Sequence, residues 1–455
     1  MTRVFLVYTI LASSLLFTAS AEWFVETVST SGGQTPAISL DSSGLPRIAY
    51  CRPAQGAKYS VYNGTYWSTY LIHYAYYGNC LYFDMVTDES DISHVSFSWL
   101  GVVYYAVQDP ALDSWSVTSL STPYVFWVSL GLSSQTYPGI CFYSYDNLSL
   151  EYVHWNGSQW ITELIDAATD TGDYNSMVRE GVNKAHVAYS MTLPTPGLKY
   201  AYRDETEAWN TSFVDTSMTT EPRGMSIALD GNSYPNISYT TPEEVRYASW
   251  DGFSWNVETV WSLAMDDSVD SGAFQFDTSL ALDQWDCPHI AHCSLDGDSL
   301  LYSWNDGSGW QTESVYPLNT YGGDPDLALD SQGRPHIAFC SSDLAGELMY
   351  AFNDDFSGIE HSTNVENAGR VTFNSVTNPF YGSLSLSFAL PEAGHVELTV
   401  YDLQGREVAR PLSEYRSVGN HLFSWNPDAS LPCGGYMLAF NSNGNTLIRK
   451  VVYLK

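Results

Sequence analysis

The chain has 455 residues, of which 44% are hydrophobic and 15% aromatic, enough to form the cores of two domains. Its 51 acidic and 18 basic residues give a net charge of −33. A field of this sign disfavours nucleic acid and anionic membrane surfaces as partners, and its simplest interpretation is a solvated surface without a specific partner.

The first 21 residues have the three parts of a secretory signal peptide. Met1 to Arg3 carries a positive charge, Val4 to Phe17 is largely apolar, and Ala19 to Ala21 offers small residues for cleavage. We therefore predict that residues 1–21 are a signal peptide and that the protein is exported. No later segment reaches 18 apolar residues, so we predict no transmembrane segment.

Residues 22–356 repeat one pattern seven times, at intervals of about 45 to 53 residues. An aliphatic anchor opens a strand and is followed two positions later by a ring. Seven residues before the anchor lies Asp, Ser or Glu, a residue that can bond the backbone of a turn. Each first half therefore predicts a hairpin of two short strands. The anchors are Ile48, Val95, Ile140, Val187, Ile237, Ile290 and Ile337.

The second half of each copy predicts two more strands, the third opened by Tyr and the fourth by Trp. The seventh copy lacks this Trp, but Trp23–Val28 repeats Trp255–Val260 almost residue for residue. We therefore predict an all-β fold, a seven-bladed β-propeller over residues 22–356, closed by the N-terminal strand so that no strand edge stays open. An open solenoid is the alternative. We interpret the repeated Tyr and Trp as core, with sugar-stacking platforms as the alternative.

The pattern changes after a polar linker, residues 357–374. Short alternating strands over residues 375–455 predict a small immunoglobulin-like β-sandwich. Its landmarks are Asn378-Pro-Phe380, Leu390-Pro391, Val400-Tyr-Asp402, Gly405-Arg406, Gly419-Asn-His421, Trp425 and Gly435-Tyr436.

This series resembles the C-terminal sorting domain (Por) of type IX secretion system cargo proteins over nearly its whole length. A related domain of flagellar hook-assembly proteins shares some of the landmarks. The resemblance implies export through the type IX secretion machinery of a bacterium, with an extracellular or outer cell-surface location. The repeats, such as Leu327–Phe339, also resemble secreted bacterial β-propellers, some of them grouped with sialidases. The sialidase box Ser-x-Asp-x-Gly-x-Thr-Trp is absent from the sequence. A sialidase also needs an arginine cluster to hold its carboxylate substrate, whereas residues 22–356 contain only seven arginines, several of them in turn motifs.

Other chemistry is sparse in the sequence. Histidines precede four anchors, but we expect them to bond neighbouring backbone, because equivalent positions on separate blades do not converge on one metal ion. The loop acids Asp266-Asp-x-x-Asp270 and Asp296-Gly-Asp298 are calcium candidates, but solvated loop acids are the simpler interpretation, so we predict no cofactor. Seven cysteines cannot all pair within the chain, and we expect mostly free, buried thiols.

Loop lengths distinguish two faces of the repeat array. The first hairpin has constant length, whereas the loops after the second and fourth strands vary and emerge together on one face. Binding surfaces are usually carried by such loops, and aromatic rings supply contact area. The candidate binding residues on this variable face are Tyr76, Tyr77, Trp127, Asp173, Tyr174, Arg223, Trp261, Asp266, Asp267, Asp270, Tyr316 and Tyr321.

Two functions fit these observations. The first is a secreted or cell-surface recognition propeller, not an enzyme, that binds a glycan or protein through the variable face. The second is a secreted polysaccharide hydrolase or lyase that uses loop carboxylates, including Glu243 and Glu244. Hydrolysis needs two carboxyls about 5–9 Å apart. Carboxylates clustered at the central mouth would favour the enzyme, and aromatic shelves alone would favour binding.

The sorting assignment is testable by truncation. A chain that ends at Phe356 is expected to fold but to stay in the periplasm of its native host, because every landmark of the C-terminal domain lies beyond this residue. Cell fractionation with antibody detection measures the distribution. Equal surface delivery of the truncated and full chains would contradict the assignment.

Overall fold

The computed structural model describes most of the chain between residues 23 and 454. The described residues are 23–75, 78, 80–109, 114–120, 124–167, 171–181, 184–262, 277–295, 297–318, 323–342, 346–353, 372–375, 380–381, 384–390, 393–402, 406–428, 431–432, 434–442 and 445–454. The predicted signal peptide and most of the predicted linker lie outside them. Every regular element among the described residues is a β-strand, so no helix there is long and apolar enough to cross a membrane.

Twenty-eight strands precede the linker. They are β1 (Phe24–Ser29), β2 (Gln34–Leu40), β3 (Pro46–Arg52), β4 (Gly56–Tyr62), β5 (Trp67–His73), β6 (Cys80–Thr87), β7 (Ser93–Trp99), β8 (Val102–Asp109), β9 (Ser114–Ser119), β10 (Val125–Leu132), β11 (Pro138–Ser144), β12 (Ser149–Trp155), β13 (Trp160–Asp166), β14 (Thr171–Glu180), β15 (Lys184–Met191), β16 (Gly197–Arg203), β17 (Trp209–Asp215), β18 (Arg223–Leu229), β19 (Pro235–Thr240), β20 (Glu244–Trp250), β21 (Trp255–Ser262), β22 (Thr278–Leu282), β23 (Pro288–Cys293), β24 (Ser299–Asn305), β25 (Trp310–Pro317), β26 (Gly323–Leu329), β27 (Pro335–Cys340) and β28 (Leu348–Phe352).

These strands form repeated four-stranded antiparallel sheets, which we call blades. Blades 1 to 6 take consecutive strands, from β2–β5 to β22–β25, and the seventh sheet has the order β1-β28-β27-β26. The first strand of the chain therefore completes the last sheet, as the displaced Trp motif predicted. The innermost strand of each blade contacts that of the next, and β26 contacts β2.

In six blades the first hairpin is stabilised by its turn-opening aspartate or serine. In blade 1, Asp41 Oδ1 accepts hydrogen bonds from the backbone N–H groups of Ser43 and Leu45, both at 2.9 Å. Gly44 occupies the left-handed region at φ 77°, which costs glycine little. Asp88, Ser133, Asp230, Asp283 and Asp330 bond their turns in the same way. This pattern explains the constant spacing of the first hairpin.

Aromatic pairs join every blade to its neighbour. The Trp that opens each outer strand packs edge-on against the third-strand Tyr of the preceding blade, with ring centroids 5.0–5.5 Å apart. The repeated rings are therefore packed in blade interfaces, as the core interpretation predicted. The pairs are Trp67–Tyr350, Trp115–Tyr59, Trp160–Tyr105, Trp209–Tyr152, Trp255–Tyr200, Trp310–Tyr247 and Trp23–Tyr302.

The repeated histidines have structural partners, but the expected backbone contacts were wrong. His94 Nδ1 lies 2.5 Å from the hydroxyl of Tyr105, and its Nε2 lies 3.4 Å from Asp88. Both partners belong to the same blade, so the ring ties the third strand to the first turn. The same contacts recur at His186, His289 and His336. No cluster able to hold a metal ion is found among the described residues.

Two further sheets follow the linker. Their strands are β29 (Thr372–Ser375), β30 (Phe380–Tyr381), β31 (Leu384–Leu390), β32 (Gly394–Asp402), β33 (Glu407–Arg416), β34 (Gly419–Trp425), β35 (Gly434–Ser442) and β36 (Asn445–Leu454). The sheets have the orders β29-β31-β34 and β30-β36-β35-β32-β33. One hydrophobic core, which includes Phe388, Val400 and Phe440, draws residues from both. The landmark residues Trp425 and Tyr436 belong to this core.

If the N-terminal strand closes the last blade, removing the side chain of Trp23 is expected to lower the free energy of unfolding strongly, and removing that of Phe24 only slightly. Trp23 packs on Tyr302 and donates a 2.8 Å hydrogen bond from Nε1 to Glu313, whereas the neighbouring Phe24 is 58% exposed. Trp23→Ala is expected to cost about 2–3 kcal/mol, somewhat less than a fully buried Trp, and Phe24→Ala less than about 0.5 kcal/mol. Chemical denaturation measures both. Equal losses of stability in the two variants would contradict closure of the last blade by the N-terminal strand.

Candidate functional site

A cavity of about 460 Å³ lies where the innermost strands of all the blades meet. Its wall takes residues from β2, β6, β10, β14, β18, β22 and β26. This volume is within the usual range for small-molecule sites. Each inner strand starts on the variable face, because it follows a variable loop, and ends at the constant first hairpin. The residues at the strand starts therefore form the mouth of the cavity on the variable face.

A ring of side-chain hydrogen bonds holds the inner strands around this cavity, and we call it the inner girdle. Asp84 Oδ2 accepts the backbone N–H of Leu130 in the next blade at 2.7 Å, and Asp326 Oδ2 accepts that of Ile38 at the same distance. Ser129, Ser176, Ser226 and Ser279 accept the equivalent N–H groups at 3.0–3.2 Å. Burial raises the pKa of Asp84 to about 7.

The backbone is irregular two residues before the girdle positions, where the inner strands begin at the mouth. Register shifts interrupt the pairing of inner and second strands there in six blades. Thr35, Tyr82, Trp127 and Asp324 have φ between 43° and 55°, an unfavourable region for residues other than glycine. Bulges of this kind re-aim side chains beside functional sites. The complete mouth ring is Thr35, Tyr82, Trp127, Tyr174, Gly224, Asp277 and Asp324.

One side of the mouth ring is aromatic. The ring of Trp127 lies 5.2 Å from that of Tyr82 and 4.8 Å from that of Tyr174, measured between centroids. The indole Nε1 of Trp127 is buried and has no hydrogen-bond partner among the described residues. The guanidinium of Arg223 lies 5.8 Å from the centroid of Tyr174 and 3.4 Å from Glu221. Tyr82, Trp127 and Tyr174 form an apolar cluster, which we call the aromatic arc; Tyr174 is buried at 8% exposure, and Tyr82 and Trp127 line the cavity.

The other side of the mouth ring is acidic. Burial, the charge of Asp324 and a hydrogen bond to its carboxyl together raise the pKa of Asp277 to about 8. At neutral pH the two carboxyls therefore share a proton and carry close to one negative charge. Burial raises the pKa of Tyr82, and the charges of Asp277, Asp173 and Asp324 raise it further. The acidic pair and the aromatic arc thus face the same space.

The spacing of the acidic pair bears on catalysis. Glycosidases hold their two carboxyls about 5–9 Å apart, so that a sugar carbon or a water fits between them. Asp277 and Asp324 are directly hydrogen bonded, which places their facing oxygens closer than this. The pair therefore suits a polar grip on a ligand better than it suits a two-carboxylate hydrolysis.

Four of the predicted site residues meet at the mouth: Trp127, Asp173, Tyr174 and Arg223. Two others are packed in blade interfaces, where Trp261 joins the core cluster of Val260, Leu280 and Ile290 and Tyr316 lies 5.3 Å from Phe339. The remaining candidates, together with the calcium candidate Asp296, lie outside the described residues: Tyr76, Tyr77, Asp266, Asp267, Asp270 and Tyr321.

The other candidates from the sequence have local roles. Glu244 bonds Arg246 at 2.6 Å, and Glu243 is exposed beside it. None of the six described cysteines is in a disulfide, which confirms the expectation of mostly free thiols, and five of them are buried; Cys433 lies outside the described residues. Sequence reasoning missed Tyr82, Asp277 and Asp324. Their signal is positional, because each lies thirteen residues before an anchor, as Trp127 and Tyr174 do.

No family model and no curated protein matches the chain. Among solved structures, the PL25 ulvan lyase bound to -[GlcA(1-4)Rha3S]- has a TM-score of 0.51 and 12% identity, covering 72% of this chain and 95% of the lyase. AofleA from Arthrobotrys oligospora has a TM-score of 0.45 and 12% identity, covering 65% of this chain and 89% of AofleA. The six-bladed fucose-binding lectin of Aleuria aurantia has a TM-score of 0.41 and 16% identity, covering 64% of this chain and 98% of the lectin. At these identities the similarity to the ulvan lyase concerns the fold alone.

The shared proton predicts a pH-dependent effect of Asp277→Asn. The folded protein keeps a proton that the unfolded chain releases above its ordinary pKa of 3.8, so this group's contribution to stability falls as the pH rises from about 4 to 8. Asparagine has no proton to lose. The melting temperature of the variant relative to wild type is therefore expected to be higher at pH 8 than at pH 5.

Asp251→Asn is the matched control for this experiment. Backbone N–H groups of Ser254 and Phe253 lower the pKa of Asp251, which lies in an exposed hairpin on the opposite face. Its charged form is the stabilising one, so the opposite sign is expected: a loss of stability at pH 8 that shrinks in acid. The same pH dependence for both variants would refute the shared proton.

Proposed function

We propose that the blades form a closed seven-bladed β-propeller and that the protein is a secreted, non-catalytic recognition protein that binds a glycan at its central mouth. The observation that carries this proposal is the aromatic arc of Tyr82, Trp127 and Tyr174 facing the acidic pair of Asp277 and Asp324. Tyr82, Trp127, Asp277 and Asp324 line a cavity of about 460 Å³. Fixed rings and a few placed polar groups are what a small-ligand site requires.

The chemistry of a sugar matches these two walls. The C–H groups on one face of a pyranose are apolar and weakly positive, so they pack on aromatic rings, whose faces are negative. The hydroxyl groups around its rim can donate hydrogen bonds to the carboxyl oxygens of Asp277 and Asp324.

Charge narrows the class of glycan. The acidic pair and the net charge of −33 disfavour sulfated or uronic acid chains. Arg223 already contacts Glu221 and Tyr174, and Arg179, which lines the cavity, donates to the carbonyl oxygen of Tyr137 at 2.6 Å. A neutral sugar or an amino sugar fits this field better, since a protonated amine gains from both the carboxyls and the rings.

Cleavage of a polysaccharide is the second candidate function. The observation in its favour is Asp277, because a carboxyl with a pKa of about 8 stays protonated at neutral pH and can serve as a general acid. Its direct hydrogen bond to Asp324 departs from the spacing of a glycosidase pair. We therefore rank this function below binding.

The two sheets after the linker belong to the same proposal. We assign them as an immunoglobulin-like sorting domain recognised by type IX secretion machinery, and the mature protein as extracellular or held at the bacterial cell surface. Support comes from the ordered landmark residues and from the burial of Trp425 and Tyr436 in the domain core. The signal peptide predicted for residues 1–21 supplies the first step of export.

A binding screen with paired tryptophan variants tests the proposal. Trp127→Ala removes the centre of the aromatic arc and is expected to weaken glycan binding about 30-fold, the typical effect of a central Trp. The control Trp285→Ala removes a ring that is 44% exposed in a first hairpin on the opposite face, and its affinity is expected to stay within about two-fold. Titration calorimetry measures affinity, and melting temperatures verify folding.

The same screen includes a cleavage assay. Equal binding by wild type and by folded Trp127→Ala would refute the mouth as the site. Release of reducing ends or unsaturated products from any polysaccharide in the panel, abolished by Asp277→Asn, would establish the enzymatic alternative instead.

A further inference from the structure

A continuous run of aromatic rings leads from the mouth outward over blade 3, and we call it the outer track. Phe126 lies 5.5 Å from Trp127 and 6.3 Å from Tyr82, measured between centroids. Tyr124 and Tyr145 follow at 5.3 Å and 5.8 Å from Phe126. Tyr124 is 48% exposed and Tyr145 57% exposed. The track therefore begins in the half-buried mouth and ends on the open surface of the variable face.

Backbone hydrogen bonds fix the outer track in place. The N–H of Tyr124 donates to Asp146 Oδ2 at 3.0 Å, and the N–H of Tyr145 donates to the carbonyl oxygen of Tyr124 at 2.8 Å. The N–H of Val125 donates to the carbonyl oxygen of Gly101 at 3.0 Å. These bonds join the loops of blades 2 and 3, so the rings need little further ordering when a ligand binds.

Close packing fixes the ring of Tyr124 as well. It lies directly on Gly101, where a Cβ atom would come within 2.2 Å of the ring. Gly101 also has φ 76°, so glycine satisfies two demands at this position. Tyr124 is thus held as a shelf although half of it is exposed.

We propose that the outer track binds successive units of a carbohydrate chain whose terminal unit occupies the mouth. The inference rests on the proposed function and adds that the ligand is a chain recognised by its end. Steps of 5.3–6.3 Å between rings match the size of a pyranose ring. The track supplies a continuous apolar path from the mouth to the exposed surface, along which the remainder of a chain can lie.

The exposed area favours a chain over a protein partner. An aromatic side chain offers about 150–250 Å² when fully exposed, so the half-exposed rings of Tyr124 and Tyr145 together offer roughly 200 Å². The flanking Leu100 and Leu148 are 58% and 42% exposed and add a similar area. A stable protein interface buries about 800 Å² on each partner, which exceeds this sum. Two or three sugar units need no more than the track provides.

Chain length is the variable that tests the outer track. The probes are β-1,4-linked oligosaccharides of glucose and of glucosamine, from one to six units, titrated calorimetrically into the full mature protein. Affinity is expected to rise about ten-fold over the first two or three added units and then to level off. The double variant Tyr124→Ala/Tyr145→Ala is expected to lose this rise but to bind the shortest ligand within about two-fold of wild type.

Two further variants separate stacking from folding. Tyr124→Phe/Tyr145→Phe keeps the rings and is expected to retain the length dependence. Phe253→Ala removes a ring that is 74% exposed in a hairpin on the opposite face. This control is expected to change neither the affinity for the oligosaccharides nor its dependence on length.

Each other outcome overturns the outer track as a chain site. If wild type binds the shortest ligand and Trp127→Ala does not, but affinity is independent of length, the track fails while the proposed function stands. If the protein binds neither oligosaccharide series at any length, the proposal that its ligand is a carbohydrate chain is wrong. The glycan screen described above then decides whether the proposed function stands. Length dependence that survives in the Ala double variant would place further units elsewhere on the protein.

Discussion

The inner girdle is the contact on which the rest of the molecule depends. In six of the seven blades, an Asp or Ser side chain on the innermost strand accepts a hydrogen bond from a backbone N–H on the innermost strand of the next blade. Without that acceptor, each N–H would be buried and unsatisfied at a cost of about 1–3 kcal/mol. Ala37 supplies no such acceptor, so the series is interrupted between blades 1 and 2, where Met85 N–H bonds the carboxyl of Asp84.

The girdle acts with a second set of contacts at the outer edge. Each Trp–Tyr pair packs one blade on the next, and in four places the indole N–H also donates to a Glu of the neighbouring outer strand. Each blade is thus fixed at two radii, which leaves little freedom to rotate. This constraint explains why the N-terminal strand must return to the last blade, since Trp23 and Glu26 each complete a pair that would otherwise have one partner.

A rigid scaffold lets the mouth tolerate unfavourable features. Left-handed φ values at Tyr82, Trp127 and Asp324, and two carboxyls sharing one proton at Asp277 and Asp324, all cost stability locally. Such features persist when the surrounding contacts determine the conformation, and they cluster at functional sites. Tyr82, Trp127, Asp277 and Asp324 each lie two residues before a girdle side chain that bonds the next blade.

The sequence by itself determined the strands, the fourfold division of each repeat and the displaced closing strand, because hydrophobic spacing and turn residues act over a few positions. It also identified Trp127, Asp173, Tyr174 and Arg223 on the variable face. Only the tertiary structure decided that Asp277 meets Asp324 opposite Tyr82, and that Trp261 packs into a blade interface. Those contacts join residues about twenty to two hundred positions apart, and the curvature that brings the blades together is a property of all the sheets packed in sequence, which no local pattern contains.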